Sequence, residues 1–297
     1  MKSIPEPPTE QRCNGNFGSK ALRLLSLLPV RPLEFCDRVS AVLEVRSERL
    51  FNQTPTYSLT NWRTLIEKIE ETLGVQAKPF MLEPAFPEIE DAIELGIAEL
   101  RKRAPFRLSH NADYSLARLY YLICRAIRPD VVLETGVGYG VSSAFILKAL
   151  EKNGAGILHS VDLPPLGQNA DDFVGFLVPE PLKHRWRLHR GVSKRILPPL
   201  LRQIGRVDVF IHDSLHSNAN VRRELYAVAP ILAPRSIVIA DDVHENDAFR
   251  DWVTQSKPIF WAAVREEKKE STFGVCVFNK EKDCTLVSSP SLRVEHE

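Results

Sequence analysis

The chain is poor in cysteine, and the few it has form no pattern. Five thiols, at positions 13, 36, 124, 276 and 284, are spread over 297 residues. No C-x-x-C pair occurs, so the sequence encodes neither a zinc site nor a disulfide framework. Reduced thiols suit a cytoplasmic protein. An excess of either charge is also missing. Lys and Arg number 39 against 38 Asp and Glu, for a net charge of +1. That balance supplies no global field for nucleic acid or an anionic membrane, and neither partner is expected. No long apolar run is present. The strongest candidate, 21–30, is too short to cross a bilayer and is broken by Arg23 and Pro29. It lies late for a signal peptide, and no clear small-residue cleavage site follows. It reads as a helix that docks on another surface. Internal repeats and low-complexity tracts are absent.

What the chain does have is apolar content, 44% of residues, enough for a full core. One stretch is locally biased: 183–206 holds several Lys and Arg and no acid. It is either a solvated face or a contact for an anionic substrate group. Residues 1–20 carry proline, glycine and polar residues and read as a disordered tail. Residues 21–104 read as a helical extension. Within it Leu65, Ile66, Ile69 and Leu73 recur at helical spacing. A linker with prolines 79, 84 and 87 follows. A helix then opens at Pro87, with acids first and Arg101 to Arg103 last, the order the helix dipole favours.

From about 105 to 280 the pattern becomes regular, and 281–297 reads as a tail. A helix over 114–127 is stopped by Pro129. Strands are predicted at 131–134, 157–162, 186–189, 207–212 and 236–240. Helices follow at 141–152, from near 193 to 204, at 218–232 and at 247–256. Two closing strands, 259–265 and 273–278, are joined by a charged turn at 266–271. Alternating strands and helices imply a parallel sheet covered on both faces. The closing pair implies an antiparallel edge hairpin. The expected fold is therefore α/β: a doubly wound, mostly parallel seven-stranded Rossmann-like sheet with an N-terminal helical extension.

The most informative segment is 131–140, Val-Val-Leu-Glu-Thr-Gly-Val-Gly-Tyr-Gly. A buried strand ends in Glu134, and glycines follow at 136, 138 and 140 before a helix begins. A strand, a tight glycine turn and a helix N-terminus form a nucleotide-binding arrangement, although a purely structural turn is the alternative. The glycines alternate, unlike the dinucleotide pattern G-x-G-x-x-G. An acid this close would repel a pyrophosphate but not a cationic ligand. The acid with alternating glycines resembles the first motif of class I S-adenosylmethionine (SAM) methyltransferases. The element order over roughly 105–280 matches that family too. The resemblance implies that Glu134, Gly136, Gly138 and Gly140 form the loop under the methionine part of SAM. Asp162, at the tip of the second strand, is placed for both ribose hydroxyls, a turn cap being the alternative. Gly191, Val192 and Ser193 correspond to the family's adenine loop.

Strand 207–212 runs into Asp213-Ser214-Leu215-His216-Ser217, and strand 236–240 into Asp241-Asp242-Val243-His244. In a doubly wound sheet these tips adjoin the glycine loop. Carboxylates so close repel, and a divalent cation removes the conflict. Oxygen ligands favour Mg²⁺, with Mn²⁺ or Ca²⁺ as substitutes. Simple loop caps remain the alternative for Asp241 and Asp242. The D-x-x-H and the later Asp-Asp resemble metal-dependent O-methyltransferases of sugars and natural products, whose motif reads D-G-D-H-S-Y against D-S-L-H-S-N here. The resemblance implies a metal on Asp213, Asp241 and Asp242 and a general base at His216. His212 and His244 read as structural, with a base role as the second reading. The expected activity is metal-assisted methylation of a small-molecule hydroxyl. The alternatives are a non-catalytic SAM-binding scaffold and, against the glycine pattern, a dinucleotide oxidoreductase. The acceptor pocket is expected from the helical extension and 163–185. The same extension is a candidate surface for self-association.

Overall fold

The computed structural model describes residues 17–48, 54–101, 103–106, 108, 114–167, 169–266 and 271–279. The predicted tail over 281–297, most of the tail over 1–20 and the centre of the 266–271 turn lie outside the described residues. The core is an eight-stranded sheet in the order β1-β7-β8-β6-β5-β2-β3-β4. Within it β2 (Val131–Thr135) is flanked by β3 (Ile157–Asp162) and β5 (Val207–His212), both parallel to it. Beyond them lie β4 (Trp186–Arg190) and β6 (Leu232–Ala240). The edge hairpin of β7 (Phe260–Arg265) and β8 (Thr272–Asn279) is antiparallel, and β8 pairs with β6.

Period-two alternation splits the sheet between two apolar layers. Val132, Val209 and Ile211 face α3 (Trp62–Leu73), α4 (Ala85–Leu100), α5 (Tyr114–Ile127) and α6 (Val141–Asn153). Leu133, Phe210 and Val238 face α7 (Ser193–Ile204), α8 (Asn218–Val228) and α9 (Ala248–Ser256). Successive strands are laid on one side of β2 up to β4 and on its other side from β5 onward, so a crevice opens at the C-terminal ends of β2 and β5. Two helices, α1 (Phe17–Ser26) and α2 (Pro32–Glu48), precede this body.

The eighth strand was not expected. It is β1 (Leu59–Thr60), from the extension, which pairs in parallel with β7. Two residues cannot display a period. The predicted linker holds a 3₁₀ turn, Lys78–Leu82, and α4 starts at Ala85, ahead of Pro87. The helix expected to run to 232 ends at Val228, and β6 begins at Leu232 through an irregular register that accommodates Pro234. Among the described residues no helix is long and apolar enough to cross a membrane.

Candidate functional site

The strand tips are laced together by main-chain bonds. Gly136 N donates to Val161 O at 2.9 Å, Asp213 N to Thr135 O at 2.8 Å, Asp241 N to His212 O at 2.9 Å, and Gly191 N to Asp162 O at 2.8 Å. These bonds gather the predicted segments into one crevice. Gly136 has φ +86°, and a Cβ there would lie 1.8 Å from the Asp213 carbonyl oxygen. Only glycine lets the two tips approach so closely. Gly138, at φ +54°, donates its N–H to Asp162 Oδ2 at 3.2 Å.

Two predicted loop contacts stand behind the loop instead. The Glu134 carboxylate is fully buried beneath α6 and accepts from Ser142 Oγ (2.5 Å), Ser143 Oγ (2.6 Å) and Ser160 Oγ (2.8 Å). Burial pushes it up to about 7, against those three donors. Gly140 packs against Gly175, whose Cα would lie 2.8 Å from a Cβ at 140. Neither residue borders the cavity. Both shape the loop rather than touch what it holds.

The cavity is about 1290 Å³ and lies between the strand tips and α2. That exceeds the ~300–1,000 Å³ usual for a single small ligand, so there is room for two. Gly136, Gly138 and Asp162 form one end, with Gly191, Val192 and Ser193 beside them. Burial pushes Asp162 up to about 6, while the N–H groups of Gly138, Val137 and Leu163 act the other way. Of the basic side chains in 183–206 only Lys194 borders the cavity. Arg190 is paired with Glu34 and Asp171, and Arg195 with Asp37. The cations of this stretch nearest the cavity are therefore already paired with carboxylates, Lys194 included, 3.4 Å from Asp37.

At the other end His216 stands between two carboxylates. Its Nδ1 is 2.8 Å from Asp242 Oδ2, and its Nε2 is 3.7 Å from Asp213 Oδ1. Burial favours neutral imidazole, but Asp213 and Asp242 outweigh it and hold His216 well above its ordinary range. Asp242 is shifted the opposite way: burial would raise it, but the hydrogen bond and charge of His216 hold it well below the carboxylate range. Asp241 rises well above its usual value through burial and the charges of Asp213, Asp242 and Glu266. Asp242 has φ +51°, a strained conformation for a residue with a Cβ. Its Oδ1 accepts from Ser271 Oγ. His212 is turned away: its Nδ1 meets Glu224 Oε2 at 2.7 Å in the core under α8. His244 borders the cavity, 3.9 Å from Asp242.

The expected aspartate trio does not form the tightest ligand group. Among the described residues that group is His216, Asp242 and Glu245, with one donor atom from each all within 4.8 Å. Glu245 escaped the sequence reading. It follows Asp242 by three residues on the 3₁₀ turn Val243–Glu245, where i and i+3 side chains eclipse. The α2 residues that roof the cavity were also missed, because that helix carries no motif.

A switch-point glycine loop, an acid on the next strand tip and a seven-strand core closed by an antiparallel hairpin define the class I methyltransferase fold. A family model described as a methyltransferase domain matches residues 133–243, a little over a third of the chain. No curated protein matches the sequence. Among solved structures, the O-methyltransferase TomG of Streptomyces achromogenes, involved in tomaymycin synthesis and in complex with SAM, superposes with a TM-score of 0.50 at 16% identity, over 73% of this chain and 96% of its own. An O-methyltransferase from Bacillus cereus in complex with SAH (S-adenosylhomocysteine) gives 0.51 at 12% identity, over 72% and 97%. At such identities the likeness is one of fold.

Proposed function

We propose that the protein transfers the methyl group of SAM to a hydroxyl of a small molecule, a sugar or natural product, with help from a divalent cation. The observation that carries this reading is His216, held at the cavity wall between Asp213 and Asp242, with the Asp213 backbone in contact range of the glycine loop. The two carboxylates favour a protonated His216, so it becomes the proton acceptor beside the place where a sulfonium would lie when a cation takes up their charge. Asp162 takes the ribose hydroxyls, and Gly136 and Gly138 let the ligand approach the backbone. Gly191, Val192 and Ser193 border the adenine. Leu215, in place of the acid of the related motif, gives the acceptor side an apolar contact.

The donors suit a hard cation. Asp213, Asp241 and Asp242 are crowded enough to push Asp241 well up, and positive charge relieves that crowding. Glu245 adds a further oxygen. When bound, such an ion supplies Lewis-acid assistance to ionisation of the acceptor hydroxyl. His216 then receives the hydroxyl proton, a role worth ~10²–10⁴-fold in rate. It can do so only as a base, so it is not itself a ligand in this reading. Methyl transfer from labelled SAM to a panel of sugar and polyketide hydroxyls tests the reading. Turnover should stop in excess EDTA and return with Mg²⁺, and His216→Ala should lower kcat by ~10²-fold or more. Full turnover in chelator would refute the metal role. SAM binding without turnover on any acceptor would favour the scaffold reading.

A further inference from the structure

Helix α2 roofs the cavity, and none of its apolar residues is fully buried, Phe35, Val39 and Val45 being half-buried. Its only buried residue is Asp37, and Leu33, Val42 and Leu43 are exposed. Its attachments are polar. Near its start Glu34 meets Arg190 at 2.8 Å, and Asp37 meets Arg195 at 2.6 Å. Near its end the attachments converge on one short segment. Glu48 Oε2 accepts from the backbone N–H of Asn218 at 2.7 Å, and Oε1 from that of Ala219 at 2.9 Å. Glu44 accepts from Ser217 Oγ and meets Arg223 at 3.1 Å. Glu48 thus serves the free N–H groups of α8 from outside that helix, where a carboxylate is also favoured by the dipole.

The segment so gripped begins one residue after His216. It is also tied into α8, where Ser217 Oγ accepts from Asn220 N at 3.2 Å and Ser217 O from Val221 N at 2.9 Å, while Asn246 Nδ2 donates to His216 O at 2.9 Å and Asn220 Nδ2 to Leu215 O at 3.0 Å. A shift of 217–219 would move the backbone that carries the His216 ring, 2.8 Å from Asp242. We infer that Glu44 and Glu48 are positioning residues, which seat His216 against Asp242 when α2 covers the cavity. Enclosure of the two substrates and assembly of the base are then one event. An uncovered site would lack a seated base as well as a roof. This inference rests on the reading of His216 as base, but it concerns the seating of the ring and can be tested without an acceptor.

The test uses the full chain and the variant Glu44→Ala/Glu48→Ala. Hydrogen exchange is read across 213–220, and the His216 ring Nδ1–H is followed by NMR. The variant should exchange at least ~10-fold faster at 217–219, while β2 and β5 keep their protection. The ring Nδ1–H signal should broaden or vanish. Glu48→Gln, which keeps an acceptor for one N–H, should restore part of the protection. If the double variant unfolds, Arg223→Ala weakens the same clasp from the α8 side and should give the smaller version of both effects. Unchanged protection at 217–219, or an unchanged ring signal, would overturn the inference. Equal acceleration throughout the sheet would do the same, since it would mark a merely structural role. The base reading itself fails separately, if His216→Ala retains turnover.

Discussion

Glu134 shows how residue type and side-chain direction can part company. Its acid suggested a ligand contact, but it shares a strand face with Val132 and points under α6. A fully buried carboxyl held up to about 7 has a consequence for stability. The unfolded chain releases that proton near ~4.3, the ordinary glutamate value. Between those values the folded state binds more protons than the unfolded state, so stability falls as pH rises through the window. The full loss from this group is ~3–4 kcal/mol, at 1.36 kcal/mol per unit. Glu134→Gln has no such titration. Denaturant midpoints measured from pH 4.5 to 7.5 should therefore slope less steeply downward in the variant than in the wild type. Parallel curves would show that the three serine donors keep Glu134 ionised throughout. Glu245 is the converse case: a plain acid in sequence, brought beside Asp242 by one 3₁₀ turn.

At the scale of elements, legibility followed burial. Strands β3 and β5 and helix α5 fall on their predicted bounds, because each is a continuous or periodic apolar run with a clear stop. An acid tip on β3 and Asp213 just past β5 marked where the crevice had to be. Strand β1 is too short to show a period. Helix α2 buries no apolar residue, so its role as a roof left no trace in the hydrophobic pattern. The same lack sets its expected behaviour. Ion pairs between exposed or half-exposed groups weaken as salt rises, with a Debye length of ~30 Å at 0.01 M and ~3 Å at 1 M. Apolar packing does not weaken that way. Amide exchange in 32–48 should therefore quicken between low and high salt while α5 and α6 stay protected. Salt-independent exchange in α2 would mean that something other than its ion pairs holds it.

For the whole molecule, the sheet order places every predicted ligand segment on one edge of one crevice. The fold was readable because alternating elements leave few topologies. The division of labour within the crevice was less so. Which acids face the cavity, and which roof residues close it, depends on turns and on long-range ion pairs that no local spacing encodes. The central proposal is that the Gly136–Gly140 loop and Asp162 cradle a SAM-sized ligand at the cavity. Calorimetric titration with S-adenosylhomocysteine tests it most directly, since no acceptor is needed. Wild-type protein should bind one equivalent, Asp162→Ala should bind more weakly by ~1–3 kcal/mol, and Gly138→Arg should not bind while remaining folded. Equal affinity in all three proteins would contradict the account.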